Sequence, residues 1–155
     1  LYHDLYDVET VTLRYFNVYG PNQTGGDYAG VIDVFADQAR NGDPITVHGD
    51  GRQTRDFVHV DDVVRANRLA AGTDHVGRAY NVGTGEAVTI RNLAERIRES
   101  VGSDSEIVHT TARDGDIRHS RADISRARDR LEYDVTVGLD AGLDTAVPAA
   151  PDAEQ

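Results

Sequence analysis

Val11-Thr12-Leu13-Arg14-Tyr15-Phe16-Asn17-Val18 is the strongest β-forming run in this 155-residue chain, and it stops at Tyr19-Gly20-Pro21-Asn22. β-Branched and aromatic side chains suit a pleated surface, whereas glycine and proline interrupt one. A strand over residues 11–18 is therefore expected, with a loop running on through Gly25-Gly26. Outward from it, helical and extended patterns alternate. Residues 30–40 read as a helix with Val31, Val34, Phe35, Gln38 and Ala39 on one face, ended by Asn41-Gly42. Residues 45–48 form a short strand, the turn Gly49-Asp50-Gly51 follows, and residues 54–60 return at hairpin distance. Asp61 is the expected N-cap of a helix closed by Gly72.

Further on, residues 79–82 form a strand. Thr89 caps a helix whose Ile90, Leu93, Ala94, Ile97 and Val101 trace one apolar stripe as far as Gly102. Residues 106–110 fit a strand, and 123–131 and 139–147 fit helices. Residues 1–6 read as the end of a helix, which makes the chain look like a cut through something larger. Pro148-Ala149-Ala150-Pro151 opens an expected disordered tail over 148–155. Strands alternating with helices define an α/β class.

Composition narrows the partners. The chain has 27 acidic residues against 16 basic ones, a net charge of -11, and every basic residue is arginine. Such a surface disfavours nucleic acid, whose phosphates need a basic patch. The acid excess fits a protein working in concentrated salt, or ordinary acidity combined with a GC-rich genome that favours arginine. No apolar run reaches the ~18 residues a membrane span needs, and no signal peptide is visible. Cysteine is absent, so thiolate chemistry is excluded. Six histidines without ligand spacing point to no metal site, and no serine sits in a Gly-x-Ser-x-Gly elbow.

Two stretches carry candidate chemistry. Gly83-Thr84-Gly85 lies between a strand and a helix, like a dinucleotide turn. Its third glycine is replaced by Val88, so a plain strand-to-helix turn is the better reading. In Gly49-Asp50-Gly51-Arg52-Gln53-Thr54-Arg55-Asp56-Phe57, arginine beside a tight turn suits an anionic ligand. From chemistry alone, a salt bridge from Arg55 to Asp56 or Asp62 explains it equally well.

Four segments in order carry a resemblance. Arg14-Tyr15-Phe16-Asn17-Val18-Tyr19-Gly20-Pro21 comes first. Gly49-Asp50-Gly51 with Thr54-Arg55-Asp56-Phe57-Val58-His59-Val60-Asp61-Asp62-Val63 is the second, Tyr80-Asn81-Val82-Gly83 the third, and Arg113-Asp114-Gly115-Asp116 the fourth. Together they resemble the NAD-dependent epimerase/dehydratase family of extended short-chain dehydrogenases, closest to its UDP-glucose 4-epimerases.

The resemblance implies a C-terminal part of a Rossmann-like fold with a small nucleotide-sugar-binding domain, over residues 1–147. It implies that Asn17 contacts the sugar or phosphate and that Arg55 and Arg113 clamp a diphosphate. Asp116 would accept from ribose hydroxyls, and Thr46 and His48 would offer main-chain groups to the base. The backbone of Phe16 and Val18 would lie beside the nicotinamide of NAD, itself bound mainly by a missing N-terminal half. The implied ligand is a UDP- or dTDP-sugar, in a cytoplasmic enzyme that is a homodimer when intact. The implied reaction is 4-epimerisation through a transient 4-keto sugar. A dTDP-glucose 4,6-dehydratase, or a UDP-glucuronate decarboxylase or epimerase, is the alternative within the family. A non-catalytic nucleotide-sugar-binding fragment is the alternative outside it. The family's Tyr-x-x-x-Lys acid/base pair cannot occur in a chain without lysine, and its glycine-rich NAD turn is absent too. No catalytic residue is therefore assigned, and these residues alone are expected to be inactive.

Overall fold

A computed structural model describes residues 1–23 and 30–147. The expected Gly25-Gly26 loop and the 148–155 tail lie outside the described residues. Helix α1 (Tyr2–Tyr6) leads into β1 (Val11–Tyr15) and β2 (Asn17–Tyr19). Then come α2 (Val31–Asn41), β3 (Ile45–His48), β4 (Thr54–Arg55), β5 (Phe57–His59) and α3 (Val60–Ala71). The order continues through β6 (Arg78–Val82), β7 (Val88–Thr89), α4 (Ile90–Val101), β8 (Ile107–Thr110), α5 (Ser125–Leu131) and α6 (Leu139–Ala146).

Among the described residues the strands pair two by two: β1 with β6, β2 with β5 and β3 with β8 in parallel, β4 with β7 antiparallel. The run expected as one strand over 11–18 is thus two. At Phe16 the chain changes partner, because Phe16 N–H donates to Val82 O (2.9 Å) and Asn17 N–H to Asp56 O (3.1 Å). Successive residues of a strand aim their main-chain groups at opposite edges. The handover therefore joins β6 on one edge to β5 on the other without a turn.

The expected hairpin of 45–48 with 54–60 does not form. β3 takes β8, about sixty residues on, as its parallel neighbour, with Ile45 opposite Ile107. The second segment is divided between β4, paired with β7, and β5, paired with β2.

Helix ends follow local chemistry closely. Thr89 Oγ1 accepts from Asn92 N–H at 3.1 Å, capping α4, and Gly42 and Gly102 close α2 and α4 in the left-handed conformation. The expected Asp61 cap is displaced by two residues: His59 is the N-cap of α3, its Nδ1 accepting from Asp61 N–H at 3.3 Å. Asp62 cannot serve Arg55, since its buried carboxylate accepts from Thr136 N–H (3.0 Å) and Val137 N–H (3.1 Å) and pairs with the Thr136 hydroxyl.

Two apolar cores result. One gathers Ile32, Phe35, Ala36 and Ala39 of α2, Ile45 and Val47 of β3, and Leu93, Ala94 and Ile97 of α4. The stripe read on α4 is buried from Ile90 to Ile97, with Val101 partly buried at its end. That of α2 is rotated, because Ile32 and Ala36 go inward while Val34 is 40% exposed. The second core packs Val58, Val63, Ala66, Tyr80, Val82, Leu131 and Tyr133, with Phe16 and Val18 at its margin.

Candidate functional site

A cavity of about 420 Å³ opens between α2, β3, β4 and the 113–116 segment. Asn17, Thr46, His48, Arg55, Arg113 and Asp116, the six residues assigned to substrate from sequence, all line it. Its apolar wall is Val31, Val34 and Phe35 of α2 with Ile90 of α4, and Gln38 and Gln53 add two amides. The sequence reading placed none of these six in a site. Gln38 did carry a signal, as a polar residue on a face read as apolar. Val34 is exposed for the same reason: it looks into the cavity and not into the core.

Arg55 is held from three sides. Its guanidinium pairs with the Asp116 carboxylate and donates to Ile117 O and to Thr54 O, the last at 2.7 Å. Its partner is therefore Asp116, sixty-one residues away, and neither Asp56 nor Asp62. The loop carrying Asp116 is fixed to β4, since Thr54 N–H donates to Arg118 O (2.9 Å) and Ser120 N–H to Thr54 O (3.1 Å). Arg118 in turn grips Asp50 with two bonds of 3.0 and 2.9 Å. That ion pair and the Arg52 N–H hold the Asp50 carboxyl well below the usual carboxylate range, at about 2.

Arg113 donates to His48 Nε2 at 3.1 Å, while His48 Nδ1 lies 3.2 Å from Thr111 O. Arginine has no acceptor, so Nε2 carries the lone pair and Nδ1–H donates to Thr111. Arg113 remains exposed at the mouth. The Thr46 N–H and the His48 carbonyl, expected to face a base, are taken by Gln38 Oε1 (3.0 Å) and Gln53 Nε2 (2.7 Å). Asn17, which lines the cavity, donates from Nδ2 to Asp56 O at 2.8 Å.

The dinucleotide-like turn is filled from within the chain. The Asp56 carboxylate accepts from Thr84 N–H (2.8 Å), Thr84 Oγ1 (2.7 Å), Gly85 N–H (2.9 Å) and Ala122 N–H (3.0 Å), and it is fully buried. Gly83 permits the close approach, as a Cβ there would sit 2.5 Å from Ala122 Cβ. Those donors do not fit a dinucleotide pyrophosphate. The two residues expected beside nicotinamide belong to the strand crossing: Phe16 N–H is used by Val82, and Val18 pairs opposite Val58. Among the described residues no cluster of three or more His, Asp or Glu could hold a metal ion, and no helix is long and apolar enough to cross a membrane.

Parallel strand pairs, a cavity lined by Arg55 and Arg113 and a Gly-rich strand-to-helix turn closed by Asp56 define an α/β chain with one candidate site for a small anion. Residues 1–83 match the model of the NAD dependent epimerase/dehydratase family, and the chain belongs to that family. It is 39% identical over 143 residues to a UDP-glucose 4-epimerase of Mycolicibacterium smegmatis, covering 92% of this chain and 46% of that protein. It is 34% identical over 137 residues to a UDP-N-acetyl-alpha-D-glucosaminuronate decarboxylase of Bacillus cytotoxicus, covering 84% of this chain and 43% of the relative. A crystal structure of UDP-glucose 4-epimerase from Thermotoga maritima with UDP-glucose superposes with a TM-score of 0.90 at 38% identity, over 94% of this chain and 47% of that one. The Rossmann-like epimerase fold expected from the sequence is thereby shown. The chain spans slightly less than half the length of these relatives.

Proposed function

We propose that these 155 residues form the substrate-binding half of an NAD-dependent nucleotide-sugar 4-epimerase, holding the nucleotide diphosphate of a UDP-sugar. The observation that carries this reading is electrostatic. In a chain of net charge -11, the cavity is lined by two arginines against one aspartate. Arg55 and Arg113 both line the cavity, and guanidinium suits phosphate oxygens in pairs. Asp116, already bonded to Arg55, can also accept from ribose hydroxyls. The apolar wall of Val31, Val34, Phe35 and Ile90 suits the flat face of a base.

The relatives act on several UDP-sugars, and they include a decarboxylase as well as an epimerase. Epimerisation is preferred here because the four signature segments lie closest to that group; a dTDP-sugar is the alternative ligand. Residues 1–147 act as one binding unit in this reading. With no lysine, the chain cannot supply the Tyr-x-x-x-Lys pair, and it contributes binding with no hydride transfer of its own. The acid excess is read as adaptation to concentrated salt. Calorimetric titration of the chain with UDP-glucose, UDP and uridine tests the assignment: binding must follow the diphosphate.

A further inference from the structure

The edge of β3 that faces the cavity is already occupied by the chain's own side chains. Ile45 N–H donates to Glu106 O (2.8 Å) and Gly49 N–H to Thr110 O (2.9 Å), so the odd-numbered residues of this strand address β8. By alternation Thr46 and His48 aim their main-chain groups at the opposite edge, toward the cavity they line. Gln38 Oε1 accepts from Thr46 N–H at 3.0 Å, and Gln38 Nε2 donates to Thr46 Oγ1 at 3.3 Å. The second amide, Gln53, is 7% exposed and tied to α4 as well, since its carbonyl accepts from Ile90 N–H. Gln38 is different: it stands half-buried on α2, on a long unbranched side chain that can rotate away.

A carboxamide presents a carbonyl beside an N–H, the same pair that the imide edge of a pyrimidine presents. We propose that Gln38 is a built-in competitor for the base. In the ligand-free chain it holds the Thr46 N–H that a pyrimidine carbonyl takes on binding, and it must swing out for the base to seat. This rests on the nucleotide-sugar reading of the cavity. The competition weakens ligands that carry a base and leaves those without one untouched.

The test compares the full 155-residue chain with Gln38→Ala, titrating each with UDP and with inorganic pyrophosphate. Alanine is the best helix former, so α2 is kept. UDP is expected to bind the variant about three- to tenfold more tightly, the worth of one neutral hydrogen bond. Pyrophosphate affinity is expected to stay the same. If UDP binds the wild-type chain and the variant equally, or binds the variant more weakly, the competitor role is overturned while the nucleotide reading stands. Equal tightening of both ligands also overturns it, because the change then concerns the cavity at large. If UDP binds neither protein, both readings fall together.

Discussion

Asn17 and Asp56 are joined twice through one carbonyl: Asp56 O accepts from Asn17 N–H at 3.1 Å and from Asn17 Nδ2 at 2.8 Å. The neighbouring Asp56 carboxylate fastens the Gly83-Thr84-Gly85 turn and the Ala122 backbone, and the next residue back is Arg55. One buried aspartate thus ties the strand crossing, the turn after β6 and the start of the α5 segment to the two residues that face the cavity. The Asn17 amide nitrogen is thereby committed to the Asp56 carbonyl.

Asp56→Asn is expected to destabilise the fold by about 3 kcal/mol, since an amide N–H₂ group replaces one of two acceptor oxygens and meets buried N–H donors. Urea unfolding followed by circular dichroism measures this. A midpoint equal to wild type would show that the four bonds to Asp56 are dispensable.

The helices of this fold were legible from local sequence, apart from the cap of α3 and the buried face of α2, and the strand partners were not. Thr89, Gly42 and Gly102 mark their helix ends through bonds made within a few residues, so local sequence suffices. β3 finds β8 across about sixty residues, and nothing near Ile45 names Ile107; the proximity of 54–60 suggested a hairpin that the sheet does not use. Of the six residues assigned to substrate, Asn17, Arg55, Arg113 and Asp116 lie in the family signatures and Thr46 and His48 just before the second, and the structure brings all six to one cavity. Chemistry alone left Arg55 undecided between ligand and salt bridge. It makes both kinds of contact possible, because its tie to Asp116 lies at the cavity wall. Gln38 and Gln53 belong to no signature, and only the fold shows that they face β3.

The tyrosines give a pH dependence. Burial, then the nearby Asp62 carboxylate, pushes the Tyr19 and Tyr133 hydroxyls far above the ordinary tyrosine value of 10.0. Their folded values exceed the unfolded one, so the stability they contribute is complete below pH 10 and is lost as pH rises beyond it. Stability is therefore expected to fall steeply above about pH 10, and in Tyr19→Phe less steeply. Phenolate absorbance recorded alongside circular dichroism checks this. Ionisation of all seven tyrosines with the fold intact would contradict it.

Salt should stabilise the chain. A net charge of -11 repels itself over a Debye length of about 30 Å at 0.01 M salt and about 3 Å at 1 M. The thermal midpoint is expected to rise across a KCl series to about 1 M, with light scattering falling in parallel. A midpoint independent of KCl would remove the salt-adaptation reading.

The most direct measurement is the affinity of UDP and of uridine for the wild-type chain, Arg55→Ala and Arg113→Ala, by calorimetry. Charge-assisted bonds of this kind are each worth roughly 1.5–3 kcal/mol, so each substitution is expected to weaken UDP by about 2 kcal/mol. Uridine, which has no phosphate, should bind all three proteins alike. UDP affinity unchanged by both substitutions, or uridine binding wild type as tightly as UDP does, would contradict the assignment of this cavity to a nucleotide diphosphate.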